Sequence, residues 1–445
     1  MEEISRENPE APVVYVDAGD SEETSVQLSN LTKGTAMHRL LGAAGCRAVT
    51  VGNAAMPRYG PQILAEHASA SSYPHLLANV ISANGEQIPG TQAAGILETG
   101  DLKLGLIGVT ALDQFQTTYE KFFDLQIRPL QPLVQRLAGE LRQAGAHATV
   151  LLSHLGLEQD RRLASELPDT IPLIVGAHSH SLLPEGEQID GVTIAQAGEY
   201  AKFLGRIDLI WDGQSLRVGK VTTIEVSESV PPSPRIRALK ERMEGEVEGL
   251  LQEVLGNLPS RLDFSTESEC GVANLMADAL RARLGTDLGV AVAGQAFDGP
   301  LPAGELIRKH LWEACSSPAN PGQAQMTGCQ IRTMVARGLD PDRAAERPNS
   351  LRGKARGLMH ISGARIRDSQ ILLGEEPIQM ERVYSVAASD FELEPLWGYV
   401  DESWNLKPQY DVPTILREAL ESYLSDNPSP QVDRGRIASP LSASD

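Results

Sequence analysis

The segment "IPLIVGAHSH", residues 171–180, is a short apolar run that ends in two histidines. A few Val, Ile or Leu residues that end in Gly, Asp, Asn or His are typical of a strand buried on both faces of a sheet. The first half of the chain repeats this pattern in "PVVYVDAGD" (12–20), "CRAVTVGN" (46–53), "LKLGLIGVT" (102–110) and "HATVLLSHLG" (147–156). These segments predict buried strands.

Amphipathic stretches separate the strand segments. "TAMHRLLGAAG" (35–45) and "QPLVQRLAGELRQAGA" (131–146) lie between them, and the second places Leu133, Leu137 and Leu141 at helical spacing. Strands that alternate with helices predict an α/β domain. Near residue 200 the apolar residues alternate strictly, and the turn at 212–213 predicts an antiparallel hairpin.

Proline-rich sequence divides the chain. The 445 residues exceed the size at which one core usually stops growing, and "SESVPPSPR" (227–235) cannot continue a helix or a strand. We therefore predict a first domain over 1–230, a linker and connector helix over 231–258, and a second α/β or α+β domain over 259–428. The Pro- and Ser-rich tail, 429–445, is predicted to be disordered.

Composition excludes several classes of protein. A formal charge of −20 without any Lys/Arg run argues against nucleic-acid binding, and no apolar stretch is long enough to span a membrane. The four cysteines have no CxxC spacing, although Cys315 and Cys329 could pair in an oxidising compartment. The acidic start, "MEEISRENPE", is not a signal peptide, so we expect a cytoplasmic protein, or a periplasmic or secreted one if the true start lies upstream.

Metal-ligating side chains follow the predicted strands. Asp20, Asn53, His154, His178 and His180 each come at or just after a strand end. Because the carboxyl ends of parallel strands meet in one crevice, we expect these five residues to converge there. His178 and His180 are alternate residues, so on an extended segment their side chains point the same way. Mixed Asp, Asn and His donors suit Mn, Zn or Fe. The other histidines, His38, His67, His75, His147, His310 and His360, lack this placement and are interpreted as structural.

The order of short motifs resembles a known family. "DAGD", "GN", "YGPQILAEH", "HLLANV", "KLGLIGVT", "LSHLG" and "VGAHSH" resemble the calcineurin-like metallophosphoesterase domain of the 5'-nucleotidase / UDP-sugar hydrolase family. "GVANLMADAL", "LPAGEL", "MTG", "ISG" and "YSVAASDF" resemble its C-terminal substrate-binding domain. The resemblance implies an N-terminal α/β/β/α sandwich joined by a helix to a C-terminal domain.

The resemblance also implies roles for the candidate ligands. Asp20 would bridge two ions, Asn53, His154 and His178 would complete one site, and His180 would belong to the other. The second site also needs an Asp-x-His pair that this sequence lacks, so one site is expected. The family's catalytic histidine would stand at Ala54, whose side chain can neither donate a proton nor carry charge.

The second domain departs from the family pattern as well. Gly294, Gln295, Ala296 and Phe297 stand where the family has Gly-Gly-Ile-Arg. The family stacks its base between two rings: Phe391 fits one position, the other falls near Leu358 and Met359, and Trp397 could stack in a different geometry. Phe391 and Trp397 are therefore the candidate substrate-binding residues.

Two functions follow from these features. The first is a divergent, metal-dependent phosphoesterase that hydrolyses a nucleotide or related small phosphate ester with altered or reduced activity. The alternative is a catalytically degenerate member that acts as a binding or scaffold protein, which the loss of the histidine at Ala54 favours. A periplasmic-type ligand-binding module gives no reason for the histidines at strand ends. The oligomeric state cannot be predicted from these features.

Overall fold

The chain divides into two structural units. The computed structural model describes residues 2–7, 9–22, 26–111, 123–227, 229–347, 355–411, 414–438 and 441. Unit 1 is Met1–Glu246 and unit 2 is Val247–Asp445. The division falls within a helix, Pro234–Leu251, which the sequence predicts as the connector.

Unit 1 confirms the predicted α/β class. Its helices are α1 Glu2–Glu7, α2 Gln27–Leu31, α3 Thr35–Ala43, α4 Ala55–Tyr59, α5 Ile63–Ala70, α6 Leu130–Gln143 and α7 Leu157–Glu166, followed by α8 Pro234–Leu251. Its strands are β1 Tyr15–Asp17, β2 Cys46–Thr50, β3 His75–Leu76, β4 Val80–Ser82, β5 Thr91–Gln92, β6 Ala94–Thr99, β7 Leu102–Thr110, β8 Leu125–Ile127, β9 Ala148–His154, β10 Leu173–Gly176, β11 Glu187–Ile189, β12 Val192–Ala195, β13 Phe203–Trp211 and β14 Leu216–Glu225. All five predicted strand segments and both predicted helices are present.

Two sheets form the centre of unit 1. One has the order β1-β2-β3-β5, and every neighbouring pair in it is parallel. The other has the order β11-β12-β10-β9-β7-β6, with the four central strands parallel and both edge strands antiparallel. Parallel strands need helical crossovers, which explains why helices cover the outer faces.

Alternate residues of β9 show the layers. Leu151 packs into the core shared with α6 and α7, whereas Val150 and Leu152 pack against β2 and β3 of the other sheet. All three side chains are at most 3% exposed. The strand is therefore buried on both faces, as its continuous apolar sequence predicts. The layers are helices, sheet, sheet and helices.

The predicted hairpin is present. β13 pairs with β14 around the turn at residues 212–213, and the register shift after Asp208 skips Gly219, so the extra residue of this bulge lies in β14. Ile207 and Leu209 both pack on the core between the sheets, as the strict alternation of the first strand predicts.

Unit 2 is built on a five-stranded sheet with the order β19-β16-β23-β18-β24. Its strands are β15 Val254–Leu258, β16 Leu288–Val292, β17 Gly304–Ile307, β18 Pro321–Thr327, β19 Met359–Ser362, β20 Arg365–Arg367, β21 Gln370–Leu373, β22 Glu376–Pro377, β23 Val383–Ser389 and β24 Gln409–Tyr410. Its helices are α9 Gly271–Leu284, α10 Ala293–Ala296, α11 Arg308–Ala314, α12 Gly328–Gly338, α13 Pro341–Ala345, α14 Asp390–Leu393 and α15 Leu416–Asp426, with 3-10 turns at Pro395–Trp397 and Glu402–Trp404.

Two predicted boundaries of unit 2 are wrong. Residues 254–258 were expected in the linker, but they form a strand that pairs with Gly304–Ile307. Residues 429–445 were expected to be disordered, but Arg436 is 7% exposed and donates hydrogen bonds to both carboxylate oxygens of Asp278. Leu441 is also buried in the core of unit 2. The composition of the tail, rich in Pro and Ser, does not reveal that its basic side chains pair with acidic residues elsewhere in unit 2. Residues 439, 440 and 442–445 lie outside the described residues.

The cysteines form no disulfide. All four are free, and Cys315 is buried whereas Cys329 is exposed, so the pairing that the sequence left open does not occur. Within the described residues we find no helix with the length and apolar character needed to cross a bilayer.

Candidate metal centre

Three of the five predicted ligands meet in unit 1. Asp20 follows β1, His154 is the last residue of β9, and His178 follows β10. One ligand atom from each of the three lies within 4.8 Å of the others, and the rings of His154 and His178 are 5.2 Å apart. We call these three residues the Asp20 site.

Hydrogen bonds fix the orientation of two of these side chains. The Nδ1 atom of His154 is 2.7 Å from the carbonyl oxygen of Ala18, and its Nε2 atom is 3.0 Å from Oδ2 of Asp20. The backbone N–H of Ala54 donates to Oδ1 of Asp20 at 2.9 Å. The chain that follows β2 therefore holds the carboxylate, although the Ala54 side chain has no polar group.

Two glycines allow the backbone to pass close to the side chains of Asp20 and His154. A Cβ at Gly52 would lie 2.0 Å from Oδ1 of Asp20, and a Cβ at Gly19 would lie 2.9 Å from Nδ1 of His154. Asp20 and His178 themselves have φ angles of 60° and 71°. Non-glycine residues rarely adopt positive φ, and such strain is concentrated at functional sites.

Asn53 lies between two residues that touch Asp20. Gly52 precedes it and Ala54 follows it, and its own side chain is half-buried. Its assignment as the fourth ligand stays a prediction.

His180 does not join the Asp20 site. Its Nδ1 atom lies 2.9 Å from Oε2 of Glu199, and its ring packs against Tyr200. His180 has a φ of 56° and His178 one of 71°, so the segment is not extended and alternate side chains do not share a direction. The expectation that the two rings point the same way is therefore wrong.

The donor atoms of the Asp20 site fit a divalent ion. A carbonyl oxygen can only accept, so His154 donates from Nδ1 to Ala18 and a neutral ring turns the lone pair of Nε2 toward Asp20. A proton or a cation is needed between these two acceptors. The pKa of His154 lies above its ordinary value. Burial alone would lower this pKa, but the hydrogen bond to Asp20 and the charge of Asp20 outweigh burial. A backbone carbonyl on the second ring nitrogen is the usual partner of a metal-ligating histidine.

The two candidate substrate-binding rings of unit 2 stack on each other. The centroids of Phe391 and Trp397 are 4.4 Å apart with an angle of 29° between the planes. Phe391 is 3% exposed, and the guanidinium of Arg356 lies 5.7 Å from its centroid. Trp397 therefore covers one face of the Phe391 ring.

The other divergent positions of unit 2 are structural. Phe297, where the family resemblance expects an arginine, is 1% exposed in the hydrophobic core. Gln295 accepts a hydrogen bond from Ser317, and Met359 is buried in the core under the sheet. None of these three side chains offers a cationic group to a ligand.

Sequence reasoning missed a second group of possible ligands. Glu22, His38 and His67 also place one ligand atom each within 4.8 Å of the others, and all three are buried. Burial alone would raise the pKa of Glu22, but the hydrogen bond and charge of His38 lower it to about 2. Neither histidine stands at a strand end, and no fixed spacing links the three residues, so the sequence carries no signal for them.

We expect the buried carboxyl group of Asp160 to make the stability of unit 1 depend on pH. Its side chain is fully buried beside Ser153, and burial raises its pKa from 3.8 to about 7. The folded state then holds a proton that the unfolded chain releases above pH 3.8, so stability is lost as pH rises toward 7. Between these two pKa values, each pH unit lowers the free energy of unfolding by about 1.4 kcal/mol. We therefore expect the free energy of unfolding of Asp160→Asn to exceed that of the wild type by about 4 kcal/mol at neutral pH.

Urea unfolding in chelator at a series of pH values tests this expectation. The free energy of unfolding of Asp160→Asn relative to the wild type should rise steadily from pH 4 to pH 7. Asp169→Asn changes an exposed carboxylate and is the matched control, for which we expect no such trend. A difference for Asp160→Asn that does not change with pH would contradict the assignment.

Comparison with known proteins agrees with the predicted fold. Residues 254–399 match the family described as "5'-nucleotidase, C-terminal domain". The chain is 25% identical over 424 residues to the "Uncharacterized metallophosphoesterase YunD" of Bacillus subtilis, covering 91% of this chain and 89% of that protein. It is 24% identical to an "Apyrase" of Aedes aegypti, covering 74% of this chain and 63% of the relative.

A solved structure shares the whole fold. The 5'-nucleotidase precursor of Thermus thermophilus superposes with a TM-score of 0.59 at 19% identity, covering 98% of this chain and 91% of that one. The two-domain α/β architecture that the motifs predicted is therefore confirmed, as is the resemblance to the 5'-nucleotidase family.

Proposed function

Since the chain combines a 5'-nucleotidase C-terminal domain with an N-terminal unit of the α/β/β/α type, we propose that it is a metal-dependent phosphoesterase. Its substrate is a small phosphate ester, a nucleotide or a related compound. The convergence of Asp20, His154 and His178 within 4.8 Å is the observation that carries this proposal. The relatives whose names describe phosphoesterases and apyrases support it.

The residues of the Asp20 site have distinct tasks in this reaction. A divalent Mn, Zn or Fe ion supplies Lewis-acid chemistry, which polarises a phosphoryl oxygen and lowers the pKa of water. Asp20 contributes a carboxylate that the Ala54 N–H holds in place, and His154 contributes a ring that the Ala18 carbonyl orients. His178 and Asn53 complete the proposed ligand set, and one ion is proposed.

The reaction is proposed to be slow. Ala54 leaves developing negative charge on the phosphoryl group without the donor that the family resemblance implies there. Loss of one such donor typically costs about 10²–10³ in rate. This is also the observation that favours the alternative, a catalytically degenerate protein that binds its ligand without turning it over.

Hydrolysis assays distinguish the two functions. The full chain is incubated with Mn²⁺ and either a chromogenic phosphodiester or a nucleotide, and phosphate or chromophore release is followed. We expect slow turnover that depends on Mn²⁺ and is absent in Asp20→Asn. Metal binding without any turnover would support the binding protein instead.

Trp397 is proposed to restrict base binding in unit 2. Removing its ring in Trp397→Ala uncovers one face of Phe391, and a stacked base gains about 1–3 kcal/mol. We therefore expect the affinity for adenosine, measured by calorimetry, to rise about tenfold. Trp404→Ala is the control, because Trp404 packs under Arg337 instead. An equal affinity in both variants would remove the proposed role.

A further inference from the structure

A buried polar cluster lies in unit 1 outside the Asp20 site. Glu22 comes from the loop after β1, His38 from α3 and His67 from α5, and they are 7%, 1% and 0% exposed. We call these three residues the Glu22 cluster. Burying a carboxylate beside two imidazoles is costly unless each polar atom finds a partner.

The contacts within the Glu22 cluster all converge on one carboxylate. Oε1 of Glu22 lies 2.6 Å from Nε2 of His38 and 3.5 Å from Nδ1 of His67. Among the described residues, Oε2 of Glu22 and Nδ1 of His67 have no hydrogen-bond partner. Two ligand-type atoms are thus buried, close together and unsatisfied.

The outer ring nitrogens are already committed. Nε2 of His67 lies 2.6 Å from the carbonyl oxygen of Lys33, which can only accept, so this nitrogen carries a proton. Nδ1 of His38 lies 3.0 Å from the Tyr73 hydroxyl, and that hydroxyl donates to the His38 carbonyl oxygen. This hydroxyl can therefore accept from His38. Without a cation, the 2.6 Å contact between Nε2 of His38 and Oε1 of Glu22 holds a proton, whereas Nδ1 of a neutral His67 turns a lone pair toward Glu22.

Protons alone satisfy this arrangement poorly. The rings of His38 and His67 are 4.5 Å apart, so two imidazolium charges would repel each other in a buried space. With only one ring charged, the other can still direct its lone pair at the carboxylate. A cation between the three side chains would satisfy all of the inward-facing atoms together.

We propose that Glu22, His38 and His67 form a second metal site, which binds Zn²⁺. Two imidazoles and one carboxylate form a common Zn²⁺ ligand set, and the outer nitrogen of His67 has the backbone-carbonyl partner that is common for ligating histidines. Ligand atoms around a tetrahedral Zn²⁺ are about 3.3 Å apart, so binding lengthens the contact between Glu22 and His38. The ion would tie α3 and α5 to the loop after β1, and the site does not depend on the proposed phosphoesterase activity.

Zinc stoichiometry in a background without the Asp20 site tests the proposal. His154→Ala protein is stripped with chelator, loaded with Zn²⁺, passed through a desalting column and analysed by mass spectrometry, with folding checked by circular dichroism. We expect about one ion per chain and a higher Tm than in chelator. Adding Glu22→Gln or His67→Gln should remove both the ion and the rise in Tm.

His75 provides the matched control. Its ring lies 4.6 Å from that of His38 and is equally buried, but it is outside the ligand set. His154→Ala/His75→Gln should therefore keep the ion. Folded His154→Ala protein that holds no Zn²⁺, or His154→Ala/His67→Gln protein that keeps it, would overturn the proposal.

A second measurement leaves the Glu22 cluster unchanged, so it does not depend on whether the Glu22 and His67 variants fold. Co²⁺ replaces Zn²⁺ in the His154→Ala protein, and the intensity of its visible absorption reports tetrahedral nitrogen and oxygen ligands. We expect the intense spectrum of a tetrahedral site, and the weak spectrum of hydrated Co²⁺ would count against the cluster. A lower metal content in His154→Ala than in the wild type reports on the Asp20 site alone. The two proposals can therefore fail separately.

Discussion

Replacing Ala54 with histidine is expected to raise kcat for phosphate-ester hydrolysis about 10²–10³-fold. The backbone N–H of Ala54 already touches the Asp20 carboxylate at 2.9 Å, so a side chain there begins beside the Asp20 site. The Ala54 methyl group is only half-buried, which leaves room for a ring. An imidazole N–H at this position can donate to charge that develops on the phosphoryl oxygens. Steady-state kinetics with Mn²⁺ and a chromogenic phosphodiester measure the gain.

Ala54→Phe is the control for this gain. Its ring resembles imidazole in shape but has no proton to donate, so we expect kcat to stay at the wild-type value. If Ala54→His and Ala54→Phe have the same rate, the position is not the one at which a donor is missing.

Replacing His154 with alanine is expected to lower hydrolysis by about 10³-fold or more, because the metal contributes several kcal/mol to the barrier. His154 is 2% exposed and connects Asp20 to the Ala18 carbonyl, so no neighbouring side chain can take its place without moving. Metal content and kcat should fall together in this variant.

His147→Ala is the matched control for His154→Ala, because both histidines lie in the segment 147–156. The His147 ring stacks on Trp211 at 4.7 Å, and its Nδ1 accepts from the Lys103 N–H, so it has a structural partner on each side. We expect this variant to keep both metal and activity. Equal retention of metal in the two variants would refute the assignment of His154.

The sequence predicted the fold well because the relevant signals are local. Buried parallel strands are apolar on both faces, and β9 and β10 are identified by that composition alone. The convergence of Asp20, His154 and His178 follows from their place at strand ends.

What the sequence could not predict depends on conformation or on distant partners. His180 contacts Glu199, and two positive φ angles show that its segment is not extended, which the sequence does not reveal. The Glu22 cluster joins a loop and two helices, and Arg436 finds Asp278 from the far end of the chain. Trp397 stacks on Phe391 from the last position of a 3-10 turn, which no periodic pattern reveals.

Anomalous diffraction from a crystal of the full chain grown with Mn²⁺ tests whether the Asp20 site binds a metal ion. We expect a peak bounded by a carboxylate oxygen of Asp20, Nε2 of His154 and a ring nitrogen of His178, with the Asn53 amide oxygen as the fourth ligand. A crystal with Mn²⁺ bound elsewhere and none at these side chains would contradict it.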